Sequence, residues 1–120
     1  MSYVRIYADE TGETHFEDVV VERNEETYAL GEWLISLPYP VKDLRFRRAV
    51  VEYPDEPHVA PARQFLVALA GLTEMEVSDG EVRQFGPGTV VLVEDVTGKG
   101  HTTRRVGDTI RETLFIRLAD

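Results

Sequence analysis

The chain has 120 residues, no cysteine and a formal net charge of −9. This length suits one domain with its own core. The missing cysteines exclude disulfides, thiolate nucleophiles and Cys-ligated zinc, and the acidic balance argues against a nucleic-acid partner, which needs a positive surface.

Short runs rich in Val, Ile, Leu, Phe and Tyr recur along the chain, with Gly, Asp and Pro clusters between them. The expected strands are Tyr3 to Tyr7, Phe16 to Val21, Ala49 to Tyr53, Gln64 to Ala70, Thr73 to Val77, Val82 to Phe85, Thr89 to Glu94, His101 to Arg105 and Thr113 to Leu118. Asp79-Gly80 predicts a hairpin turn, and the alternation before it puts Met75 and Val77 on a buried face with Glu74 and Glu76 on a wet one. Residues 22 to 44 read as a long connection with at most one strand and one short helical turn, since Pro38 and Pro40 end any helix there. Many short strands without a convincing helix predict an all-β sandwich or barrel. Met1 to Arg5 lack the apolar segment of a signal peptide. The longest apolar run, Phe65 to Leu72, has a strand's length, far short of a membrane span. The expectation is a soluble, cytoplasmic protein with no membrane partner.

Chemistry-bearing residues concentrate between His58 and His101. The first stretch reads Glu52-x5-His58-x-Ala60-x3-Gln64-x6-Gly71. The second runs from Gly88, at the end of Gly86-Pro87-Gly88, to Gly98-Lys99-Gly100-His101. This arrangement resembles the two motifs of the cupin superfamily. The first family motif is Gly-x5-His-x-His, then Glu, then Gly; here Glu52 replaces its Gly, Ala60 its second His and Gln64 its Glu. In the second, two extra residues follow Gly88, Val96 replaces Pro and Arg105 replaces Asn. The stretch Gly12 to Val19, with Pro61 to Gln64 and Thr97 to His101, is similar to a bacterial subset of the family. The resemblance is specific over residues 50 to 118 and weaker before them.

The resemblance implies a double-stranded β-helix, a jelly-roll barrel, in one domain over residues 1 to 120. Residues 1 to 48 would form N-terminal strands and the long connection, and 49 to 118 the motif-bearing core. It also implies a homodimer, with Tyr3 to Tyr7 as the pairing element, since such pairing removes an exposed edge. The interior would be lined by Phe65, Val67, Leu69, Val91, Val93 and Phe115 or their strand neighbours.

Three readings of the site stay open. One divalent transition metal (iron, manganese, nickel, copper or zinc) would be held weakly by His58, Gln64 and His101. A further ligand would come from His15, Glu94 or Asp95. Without a metal, His58, Gln64 and His101 line a polar pocket. His58 or His101 then serves as general base or acid, and Arg63, Arg105 or Tyr53 holds an anionic group. The partner in each case is a small molecule, and the alternative to an enzyme is a non-catalytic metabolite-binding module. His15 reads as a structural histidine. The basic cluster Arg45, Arg47, Arg48 reads as a solvated face or as an anion contact at the pocket rim. Trp33 and Tyr39 would cap a barrel end or build a dimer contact. Thr97 to Gly100 lacks the full phosphate-loop pattern.

Overall fold

A computed structural model describes residues 1–28, 31–51 and 54–120, with the side chains of 24–28 left out. Eleven strands are described: β1 (Ser2–Ala8), β2 (Thr14–Val20), β3 (Asn24–Tyr28), β4 (Gly31–Ile35), β5 (Val41–Arg48), β6 (Gln64–Ala70), β7 (Thr73–Val77), β8 (Val82–Phe85), β9 (Val90–Val93), β10 (His101–Arg105) and β11 (Glu112–Leu118). The described residues contain no helix, and none is long and apolar enough to cross a membrane. The protein is all-β.

The strands form a six-stranded sheet in the order β2-β1-β9-β6-β11-β5, a three-stranded sheet β10-β7-β8 and a two-stranded sheet β3-β4. All pairings are antiparallel except β1 with β9. The two larger sheets face each other. Ile6, Phe16, Val91 and Val93 from one and Met75, Val77 and Phe85 from the other form the buried core. The β7–β8 hairpin turns at Asp79-Gly80, as expected from the sequence. Met75 and Val77 are buried at 3% and 1% exposure.

Alternation on the large sheet follows its register. Gln64, Leu66 and Ala68 of β6 face the small sheet with Val91, Val93, Thr113 and Phe115, and all line one cavity. Phe65, Val67 and Leu69 therefore face the other way, so on β6 the interior is lined by the strand neighbours of the residues named first. Tyr3 and Tyr39 pack on Phe65 from that outer side, at ring-centroid separations of 5.3 and 5.6 Å.

Three differences from the sequence reading concern residues 22 to 53. The long connection holds the β3–β4 hairpin, paired from Asn24↔Ile35 to Tyr28↔Gly31, rather than a helical turn. The strand expected at Ala49 to Tyr53 lies earlier, at Val41–Arg48; Ala49 to Val51 are outside any strand, and Glu52 and Tyr53 lie outside the described residues. β5 is an edge strand held by its ladder to β11, so backbone hydrogen bonds rather than apolar burial define it, and its charges hide the strand pattern. Finally, β1 is paired on both sides, with β2 and β9. Its edges are satisfied within the chain, and β2 and β5 are the free edges of the large sheet.

Two junctions place the end of β10 against the large sheet. The Asp9 carboxylate accepts the Thr11 N–H at 2.9 Å and the Glu13 N–H at 3.1 Å, tightening the β1–β2 turn. The Lys99 N–H then donates to Gly12 O at 2.8 Å. Gly98 (φ +87°) is required there, because a Cβ would sit 2.7 Å from Gly12 O. The glycines of Thr97 to Gly100 thus serve close backbone approach. At the second junction Thr14, fully buried, donates from Oγ1 to Gly100 O at 2.7 Å and accepts from Ser78 N–H at 2.8 Å.

Gly100 (φ +75°) leads directly into the bridge between His58 and His101, and a Cβ there would fall within contact distance of the His58 carbonyl. Gly88 (φ +91°) has open space around it. Gly88→Ala should therefore cost only backbone strain, about 1 kcal/mol. Gly100→Ala must also displace backbone and should cost about 3 kcal/mol or more. Urea unfolding of both variants checks the ranking; equal losses would contradict it.

Candidate functional site

The two large sheets enclose a cavity of about 390 Å³. Its wall is mainly apolar, with Leu66, Ala68, Met75, Phe85 and Val91 among the lining residues. Such a volume suits a small organic ligand. Polar groups enter the wall at a few places: His58, His101, Gln64, Glu56, Arg47, Arg111 and several threonines.

His58 and His101 are tied together by backbone. Each donates its N–H to the other's carbonyl at 2.9 Å, forming an isolated antiparallel bridge. Their rings lie 4.7 Å apart between centroids, tilted by 58°. Ala60 N–H donates to Asp95 O at 3.0 Å, drawing the segment after His58 onto the end of β9. Gln64, 4% exposed, pairs with Val93 in the same region of the large sheet.

Asp95 lies behind His101. Its carboxylate is fully buried and its Oδ2 is 2.6 Å from His101 Nδ1. Asp95 Oδ1 has no hydrogen-bond partner among the described residues. The pairing orients the His101 ring and assigns a proton to Nδ1, leaving Nε2 as the nitrogen able to accept one.

His58 titrates below its ordinary value. Burial disfavours the charged ring, and the neighbouring His101 adds to the effect. His15 goes the other way: it lies between Asp9 (Nε2–Oδ2 2.7 Å) and Asp79 (Nδ1–Oδ2 2.8 Å), which raise its pKa in that order of strength. His15 is not among the cavity residues. It clips the β1–β2 turn to the β7–β8 turn.

The expected site residues thus divide. His58, Gln64 and His101 come together at the cavity. Arg63 does not line it, because it binds Glu94 and Asp120 on the surface. Arg105, exposed at the end of β10, does not line it either. Tyr53 lies outside the described residues. The cavity's arginines are instead Arg47, stacked with its guanidinium carbon 4.3 Å from the Phe115 ring centroid, and Arg111, only 8% exposed. Arg47 is the member of the basic cluster that reaches the cavity. Arg111 follows a Gly107-Asp108 turn in a polar stretch, and nothing in its local sequence marks it.

A carboxylate behind a histidine can serve a metal ligand as well as a proton-transfer group, so the donor set decides. Glu94 is committed to Arg5 at 2.5 Å and to Arg63 at 2.7 Å, and His15 to two aspartates. Among the described residues no three His, Asp or Glu side chains are placed to share an ion. Two imidazoles and the neutral amide of Gln64 do not fit a resident transition metal, which takes more and better donors.

No protein-family model matches this chain, and no curated protein matches it significantly.

The opposed histidine environments predict opposed pH responses. Folded His58 resists protonation, so its share of stability is lost as pH falls through 6.5, where the unfolded ring takes up a proton. The His15 share is fully present below 6.5 and is lost as pH rises through the raised folded value. In proton NMR titrations His58 should have its midpoint below 6.5 and His15 above it. Asp79→Asn should lower the His15 midpoint and leave that of His58 in place. Coincident midpoints would contradict this reading.

Proposed function

We propose that this chain is a cupin-type jelly-roll protein that binds a small anionic carbonyl compound in its cavity and moves a proton on it. The reading is carried by the buried Asp95–His101 pair at a largely apolar cavity. Two observations supplement it: a neighbouring imidazole held neutral by burial, and two arginines in the wall. The order of the two motifs along the chain, with Gln64 and His101 at one cavity, supports the cupin assignment.

The chemistry follows from the groups present. His101 Nε2 takes a proton from the carbon next to the carbonyl, and the electron pair moves onto the carbonyl oxygen. The Asp95 carboxylate stabilises the imidazolium that forms, as a buried carboxylate does behind other catalytic histidines. His58, neutral near pH 7, carries an N–H that can donate to the developing oxyanion. Arg47 and Arg111 hold the anionic end of the ligand. Return of the proton to the same face of that carbon exchanges it; return to the opposite face inverts the carbon, and return to another position isomerises the compound. In a non-catalytic binding module the same residues would hold the ligand without proton transfer.

Solvent-deuterium exchange separates the two. A panel of short 2-oxo and 3-oxo carboxylates is incubated with the protein in D2O and followed by NMR. The native chain should accelerate exchange at the carbon next to the carbonyl. His101→Ala should abolish the acceleration, and Asp95→Asn should reduce it by about 100-fold or more. Saturable binding without exchange would identify a binding module and refute the catalytic reading.

A further inference from the structure

The proton that His101 takes up has three fates: the same face of the same carbon, its opposite face, or another carbon. Inversion by two groups requires one on each side of the carbon, with each reacting atom about 3–3.5 Å from it. His58, the other imidazole of the cavity, stands beside His101 rather than across from it. Their backbones are bridged by paired hydrogen bonds of 2.9 Å. Their rings are 4.7 Å apart between centroids, at a tilt of 58°. Rings this close leave no room for a carbon between them.

The rest of the wall supplies no second base among the described residues. Its polar members are threonines, the amide of Gln64 and two arginines, and an arginine keeps its proton at any ordinary pH. Glu56, the cavity's one carboxylate, is on the same segment as His58, two residues before it. Proton removal and return therefore fall to one group, His101, working from one side.

The wall also bears on the ligand's chain. Leu66, Ala68, Met75, Phe85 and Val91 face it. A polyhydroxylated carbonyl compound would leave its hydroxyls unmatched there, at a cost for each. A hydrocarbon chain with a double bond would not.

We propose that the cavity acts on a β,γ-unsaturated oxo acid and shifts its double bond into conjugation with the carbonyl, the proton crossing on one face of the molecule. The inference rests on the proton-transfer reading above and narrows its substrate and outcome. His101 Nε2 takes the proton from the α carbon. The electron pair of that C–H bond forms a carbon–carbon double bond to the carbonyl carbon, and the carbonyl π pair moves onto oxygen. On return, the oxygen pair remakes the carbonyl and the α carbon becomes doubly bonded to the β carbon. The former β,γ π pair takes the proton from His101 at the γ carbon. Atoms and electrons balance without a co-reactant. The α and γ carbons are about 2.5 Å apart, the span of two bonds, so one imidazole serves both.

The probe is 2-oxohex-4-enoate, prepared with deuterium at either one of the two C3 hydrogens and followed by NMR and ultraviolet absorption in ordinary water. The native chain should form the conjugated 2-oxohex-3-enoate. It should remove deuterium from only one of the two labelled forms and deliver part of it to C5. His101→Gln, checked for folding by circular dichroism, should slow conjugation by about 100-fold or more. Exchange at C3 without conjugation would overturn the inference and leave the proton-transfer reading standing. Equal loss of label from both forms, no label at C5, or an unchanged rate in a folded His101→Gln would also overturn it. Neither exchange nor conjugation with any oxo acid would refute the proton-transfer reading itself, and this inference with it.

Discussion

A fully buried carboxylate that meets one imidazole is the constraint on which the site rests. Removing a carboxylate from water is costly unless hydrogen bonds replace the lost solvation. Asp95 makes one such bond, to His101, at 2.6 Å. Everything nearby keeps that contact dry and aligned. The His58–His101 bridge closes one side. Ala60 is bonded to the Asp95 carbonyl, and Thr14 holds Gly100 from below. The loop before His101 docks on the β1–β2 turn through Gly12 and Gly98. A buried pair with one unmatched oxygen adds little net stability. Its retention at a cavity is better explained by the orientation it gives the ring.

The histidines divide by their surroundings rather than by their sequence. His15 stands between two carboxylates near the surface, which raise its pKa, and ties two turns together. His58 stands half-buried against another imidazole and stays neutral to lower pH. His101 has a carboxylate on one nitrogen and the cavity beside it. One residue type thus occupies three different electrostatic settings.

Much of the fold was legible where burial imposes a period. The β6, β7, β8, β9, β10 and β11 regions were expected from alternating or continuous apolar runs bounded by Gly and Asp turns. Strands held by ladder bonds alone were not legible. β5 is charged along its length, and β3–β4 lies in a stretch that resembles a connection. The sequence left the register of β6 open by one residue because both of its faces are apolar: Leu66 and Ala68 line the cavity, and Phe65 lies under Tyr3 and Tyr39. At the site, motif spacing led to His58, Gln64 and His101. Asp95 was considered only as a spare metal ligand. Its true neighbour became visible once β9 and β10 were placed together. Arg111 carries no local signal, while Arg63, close to the motif in sequence, is drawn outward by Glu94 and Asp120.

The central claim is that Asp95 sets the tautomer of His101. Long-range proton–nitrogen NMR correlation on uniformly labelled protein, at a pH where the ring is neutral, reads this directly. The account predicts a proton on His101 Nδ1 and a pyridine-like shift at Nε2. A protonated Nε2 with a pyridine-like Nδ1 would contradict it, since the ring would then have no acceptor nitrogen for a cavity ligand.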